Sequence, residues 1–247
     1  MAEPVATRWT ARSISAGSVD DQPGAWIAAA GTGIALLTPD GALEWLERPE
    51  DRTPVPSRMN DGVADPAGRF WAGSMAYDGT PGAGSLYRTD PDGTVTRVLD
   101  GLTIANGPAF TADGTTMYLA DTAVGTILRC RVDPVSGDLC GLPETFARLR
   151  DGEGSPDGMT VDEEGCLWVA LWGAGTVRCY HPDGRLLRTV TVPAPHPTSV
   201  CLHPDGHRLF VTTARYGVKS PTAASGAVLS IAVPARGVAA RAWRGRP

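Results

Sequence analysis

The stretch DPAGRFWA, residues 65–72, decides the fold, because a turn ending in Gly68 runs straight into a strand of apolar and aromatic residues. Asp and Gly favour the tight turn, and Phe and Trp favour the strand that follows. The same phrase returns at residues 21–28, 112–120, 162–170 and 204–212. Its turn glycines, Gly24, Gly68, Gly114, Gly165 and Gly206, are 44, 46, 51 and 41 residues apart. A second phrase follows in most units, degenerate at residues 226–237, as in GSLYRTDPDG (84–93) and GTVRCYHPDG (175–184): a strand opened by Gly, a Pro-Asp-Gly type hairpin, then another strand. Sustained 3.6-residue apolar periodicity is missing, and 30 Gly and 21 Pro leave little room for helices. Sheets of about four strands repeating at this period bury their faces by packing radially about an axis, which predicts an all-β fold, a β-propeller of four-stranded blades with about five repeats present.

Composition sets the limits. The chain has 247 residues, 42% hydrophobic and 20% charged, as expected for a packed globular protein and one domain, 1–247. A net charge of −5 with scattered Lys and Arg argues against a nucleic-acid partner. The basic run Arg236, Arg241, Arg244 and Arg246 reads as a solvated tail. Apolar stretches fall short of the roughly 18 residues that span a bilayer, so no membrane partner is expected. Five cysteines without a Cys-x-x-Cys pair, and no secretory leader pattern, fit a reducing cytoplasm. Oligomeric state leaves no mark in the sequence.

In a propeller, equivalent positions of successive repeats converge at one height on the axis. Eight residues before the turn glycines stand Ala16, Asn60, Asn106, Asp157 and Thr198. Any one Asn or Asp before Gly reads as a turn former. Three in register also offer hard oxygen ligands for Ca²⁺, Mg²⁺ or Mn²⁺, and acceptable ones for Zn²⁺, so one divalent cation is expected. His181, His196, His203 and His207 lie in or near Pro-containing turns without ligand spacing and read as exposed turn residues. A Gly-x-Ser-x-Gly elbow, a phosphate loop and a dinucleotide fingerprint are all missing.

At these residues the chain resembles the regucalcin and gluconolactonase (senescence marker protein) family, six-bladed propellers that hydrolyse sugar lactones with one divalent cation. The likeness is carried by RMNDGVADPAGRFWAGSM (58–75), the Asn106-Gly107 turn, SPDGMTVDEEGCLWVA (155–170) and PTSVCLHPDGHRLFVTTAR (197–215). It implies that Asn106 and Asp157 ligate the cation, with Asp157 also the catalytic base. It implies too that Arg58 and Asn60 bind the sugar lactone, and that Asp78 stands where some members place a substrate-contacting Glu. The family's third ligand is a Glu in a Gly-Glu-x-Pro-x-Trp phrase, which nothing here matches, Glu3-Pro4 included; residues 5–11 resemble only the outer strand of the first blade. Most of that blade, about one repeat, is therefore expected to be missing, with an open ring and a weakened cation site as consequences. Two other readings stand beside the lactonase: a non-catalytic propeller that binds a sugar or a protein partner, and a hydrolase of another ester class, such as phosphotriesters, on the same scaffold.

Overall fold

Each repeat folds into its own antiparallel sheet in the computed structural model, which describes residues 14–245. The first sheet comprises β1 (Ile14–Ser18), β2 (Trp26–Ala30), β3 (Gly33–Leu37) and β4 (Leu43–Glu47). The second contains β5 (Ser57–Ala64), β6 (Phe70–Ala76), β7 (Gly84–Thr89) and β8 (Val95–Leu102), the third β9 (Ala105–Phe110), β10 (Thr116–Asp121), β11 (Thr126–Arg131) and β12 (Glu144–Arg148). The fourth is formed by β13 (Ser155–Val161), β14 (Leu167–Trp172), β15 (Thr176–Tyr180) and β16 (Leu186–Thr191). The fifth differs from expectation: among the described residues it has three strands, β17 (Pro197–Leu202), β18 (Arg208–Thr213) and β19 (Val228–Ala232). Residues 1–13, which include Glu3 and the 5–11 stretch, lie outside the described part. No described helix is long and apolar enough to cross a membrane.

In the first four sheets the second strand reads as a largely apolar run because it is buried on both faces, whereas β18 alternates buried and exposed residues. Phe70 packs with Ile27, Ile34 and Met59 between the first two sheets, whereas its neighbour Trp71 packs with Met117 and Leu119 between the second and third. Leu167 faces Tyr118 and Ile127 on one side, and Trp168 faces Leu209 and Val211 on the other. Side chains alternate across a strand, so one strand glues two interfaces. The core is a set of inter-blade layers, with exposure rising toward outer strands such as β16. Gly24, Gly68, Gly114 and Gly165 take the positive φ expected of the turn glycines. Gly206 is not among the residues with positive φ; in its turn His203 Nδ1 accepts from Asp205 N at 3.0 Å.

The C-terminal segment docks through its backbone and Trp243, although Arg236, Arg241 and Arg244 stay exposed as the reading of solvated arginines expects. Beyond β19 it passes Asp162, which bridges to Gly237, and residues 238–241 run beneath β5, β9 and β13. It then docks on the first two blades: Trp243 N donates to Ser18 O (2.9 Å), Asp20 N to Trp243 O (2.8 Å) and Arg244 N to Gly68 O (2.9 Å). Trp243 is fully buried and its Nε1 donates to Asp90 O at 3.3 Å. The arginines between and beside these anchors mask a single aromatic anchor that has no periodic signal.

Candidate active site

Register counting brings its residues together. Ala16, Asn60, Asn106, Asp157 and Thr198, one from each inner strand, all line one central cavity of about 890 Å³. Four of the five inner strands are irregular where these residues stand: pairing slips between Met59 and Gly62 on β5, around Asn106 to Ala109 on β9, between Pro156 and Met159 on β13, and between Pro197 and Ser199 on β17. β1 pairs regularly and contributes Ala16. A bulge leaves one residue out of the ladder and re-aims its side chain, here toward the axis. Gly107, at φ 50°, allows a close approach of β9 to β13, since a Cβ there would lie 2.9 Å from Asp157 O.

A hydrogen-bonded chain crosses three blades. Arg58 Nη1 donates to Asn60 Oδ1 (2.9 Å), and Asn60 Nδ2 donates to Ala105 O (3.0 Å) and to Asn106 Oδ1. Asn106 Nδ2 donates to Thr122 Oγ1 (2.9 Å), which donates to Pro156 O (2.6 Å), the residue before Asp157. These bonds fix both amide orientations and turn the Asn106 oxygen toward Asn60. Asp61, which the register count passed over by one residue, ties three inner strands: its carboxylate accepts from Ser15 Oγ (2.9 Å), Gly62 N (2.9 Å) and Gly107 N (3.1 Å).

Electrostatics single out Asp157. Burial first, and the Asp61 charge second, push its carboxyl up to about 8, with Gly158 N–H the only opposing hydrogen bond. Burial also raises Asp61 and lowers Arg58. Strongly perturbed groups gathered in one cavity mark a functional site. Asp78 is not brought there: it is exposed in the turn after β6, its Oδ1 accepting from Thr80 N (2.9 Å) and Thr80 Oγ1 (2.7 Å), which lowers its pKa. Of the residues the resemblance selected, Arg58, Asn60, Asn106 and Asp157 thus line the cavity, whereas Asp78 stands on the surface.

The donors at the axis suit a hard divalent cation: amide oxygens held in place and a carboxylate whose lone pairs face few protein donors. A second group, Asp162, Cys166 and Cys179, places ligand atoms within 4.8 Å of one another. There, however, Trp168 Nε1, Cys166 N and Glu164 N already occupy the Asp162 oxygens, and burial pushes the Cys179 thiol up to about 12, leaving a protonated sulfur. That cluster reads as structural.

Three likenesses place the chain among known proteins. Pentonolactonase XacC of Haloferax volcanii is 44% identical over 160 residues, covering 64% of this chain and 54% of that protein. L-arabinolactonase of Azospirillum brasilense is 40% identical over 167 residues, covering 66% and 55%. The chain therefore spans little more than half the length of these relatives. The crystal structure of regucalcin, a calcium-binding protein from Agrobacterium tumefaciens, superposes with a TM-score of 0.84 at 30% identity, covering 93% of this chain and 78% of that one. Residues 4–215 match the SMP-30/Gluconolactonase/LRE-like region, and the chain belongs to that family.

Proposed function

We propose that the axial cavity binds a sugar lactone together with one divalent cation and hydrolyses the ring ester. The observation that carries this reading is the convergence of Arg58, Asn60, Asn106 and Asp157 from three bulged inner strands on one cavity. The names of the pentonolactonase and arabinolactonase relatives support the substrate class, and the calcium-binding regucalcin makes Ca²⁺ the first cation to try, with Zn²⁺, Mg²⁺ and Mn²⁺ as alternatives.

Asn106 Oδ1 and the Asp157 carboxylate would hold the cation, which when bound polarises the lactone carbonyl and offsets the charge that develops on its oxygen. The forked guanidinium of Arg58 would present its remaining N–H groups to the sugar hydroxyls, and Asn60, whose two N–H groups go to Ala105 O and Asn106 Oδ1, would offer them the second lone pair of its Oδ1. Water adds to the carbonyl carbon, the ring C–O bond breaks, and the proton lost by the water ends on the released hydroxyl. Asp157 would carry that proton. Near neutrality it holds a proton of its own, so ligation displaces it, and cation affinity rises with pH up to about 8. The Gly-Glu-x-Pro-x-Trp phrase does not occur in these residues, so Asp157 is the one proposed carboxylate ligand, and the reading includes weak cation affinity and slow turnover.

The test is a calorimetric Ca²⁺ titration and a pH-stat assay on pentono- and hexono-lactones, for the 247-residue chain and for Asp157→Asn. The expected result is cation-dependent hydrolysis that falls roughly 100-fold or more in the variant, with cation binding lost in parallel. Lactone binding without turnover at any cation concentration would replace the enzyme with a sugar-binding propeller.

A further inference from the structure

The cavity wall is chemically lopsided. Its guanidinium and its two amides, Arg58, Asn60 and Asn106, come from blades two and three, whereas its two aromatic rings, Trp172 and Tyr216, come from blades four and five, beside Asp157, Thr198 and Ser199. Trp172 stacks on His196, with ring centroids 4.1 Å apart and planes inclined by 21°. His196 Nδ1 lies 2.9 Å from Tyr216 O; a carbonyl can only accept, so Nδ1 carries the proton and the ring is fixed in one tautomer if neutral. Ala214 N in turn donates to His196 O at 2.9 Å, which holds the turn against β18.

A packing role does not account for Trp172. The propeller's framework tryptophans, Trp71 and Trp168, stand three residues after their turn glycines and are 0% and 2% exposed inside inter-blade layers. Trp172 stands seven residues after Gly165, at the inner end of β14; the matching positions elsewhere are Gly31, Met75, Asp121 and Thr213, none aromatic. One aromatic side chain is thus set at the cavity rim in one blade only, braced by a histidine from the next, and Tyr216 beside it is 85% exposed.

We infer that Trp172, braced by His196 and flanked by Tyr216, is an aromatic subsite that receives the C–H face of a sugar ring, while Arg58 and Asn60 take its hydroxyl edge. The inference rests on the sugar-lactone reading of the cavity. A sugar ring has one polar perimeter and two C–H faces, and a cavity with donors on one wall and an aromatic on the other matches both. The subsite seats the ring and so selects among lactones by ring size and by which face is free of hydroxyls.

Binding of a pentonic acid lactam, in which N–H replaces the ring oxygen so that the ring resists hydrolysis, tests the subsite without turnover. Calorimetry and saturation-transfer NMR would be run on the full chain and on Trp172→Ala, Trp172→Phe, His196→Ala and Arg58→Ala, each checked for its fold by circular dichroism. Trp172→Ala is expected to weaken binding at least tenfold and His196→Ala about threefold to fivefold, with Trp172→Phe within about threefold of the parent. The ring C–H protons should receive the strongest saturation in the parent and lose it in Trp172→Ala. Should Trp172→Ala not fold, His196→Ala and the saturation pattern decide. Weakening by Arg58→Ala alone, with the Trp172 and His196 variants at parental affinity, would overturn the subsite and leave the sugar site standing. No lactam binding by the parent chain would overturn both.

Discussion

Asp157 and Asp162 stand five residues apart on one inner strand and its turn, yet they meet opposite surroundings. Asp162 is buried with both oxygens engaged: Oδ1 accepts from Glu164 N (3.0 Å) and Cys166 N (2.8 Å), and Oδ2 from Trp168 Nε1 (2.9 Å). Blade two repeats the device, with Asp65 accepting from Ala67 N, Arg69 N and Trp71 Nε1. Asp157 has the Gly158 N–H and little else, and burial and the Asp61 charge hold its carboxyl near 8. A buried carboxylate whose lone pairs are all matched locks a turn to a strand. One left unmatched beside a second carboxylate carries a cost in the folded state, which a ligand can relieve.

The sharpest way to break this comparison is to remove each carboxylate. Asp162→Ala orphans the indole N–H of Trp168 and two backbone N–H groups, so a loss of about 3–5 kcal/mol is expected, a fall in Tm of roughly 10 °C. Asp157→Ala should be at least as stable as the parent at pH 7, because the folded parent must keep Asp157 protonated where the unfolded chain has released that proton. Urea unfolding of the two variants measures the difference, and equal losses would erase the distinction between framework and site.

Titration sharpens it further. Asp157 has a folded-state value of about 8 against an ordinary 3.8, so between these limits the folded cation-free chain keeps a proton that the unfolded chain has released. Its contribution to stability is fully present below about pH 4 and is lost as pH rises toward 8, at up to about 1.4 kcal/mol per pH unit. Asp157→Asn should flatten that decline. Asp61→Asn removes the neighbouring charge but not the burial, so the Asp157 midpoint read by carboxyl ¹³C NMR should move down without reaching the ordinary range. A pH-independent difference between parent and Asp157→Asn would remove Asp157 from this account.

What the sequence revealed follows from what repeats. The turn glycines and the apolar second strands recur with each blade, so period and burial announced the sheets, and counting from Gly24, Gly68, Gly114, Gly165 and Gly206 put five residues on one cavity. Features that occur once were missed for the same reason. Trp243 docks from a segment of Gly, Ala and Arg with no periodicity, and Trp172 occupies a position that is not aromatic in any other blade. Asp61 was hidden by its neighbour: in Asn60-Asp61-Gly62 the count selects one polar residue, and the bulge between Met59 and Gly62 makes both matter. Asp78 is not brought to the cavity, because a family position carries over only where the turn around it does, and here Thr80 captures the side chain in an exposed loop.

The smallest expected effect concerns a residue that belongs to both halves of the comparison. Thr122 follows β10; its hydroxyl accepts from Asn106 Nδ2 at 2.9 Å and donates to Pro156 O at 2.6 Å, joining one proposed ligand to the backbone of the other. Thr122→Val keeps the shape and deletes both bonds. The expected stability loss is about 1 kcal/mol, whereas Ca²⁺ affinity should fall roughly tenfold, because Asn106 is then held by Asn60 alone and the two ligands are no longer held in step. Thr122→Ser should restore the affinity. If the valine variant loses stability but binds Ca²⁺ as the parent does, Thr122 belongs with Asp162 to the framework, and the orientation of Asn106 is set by Asn60 alone.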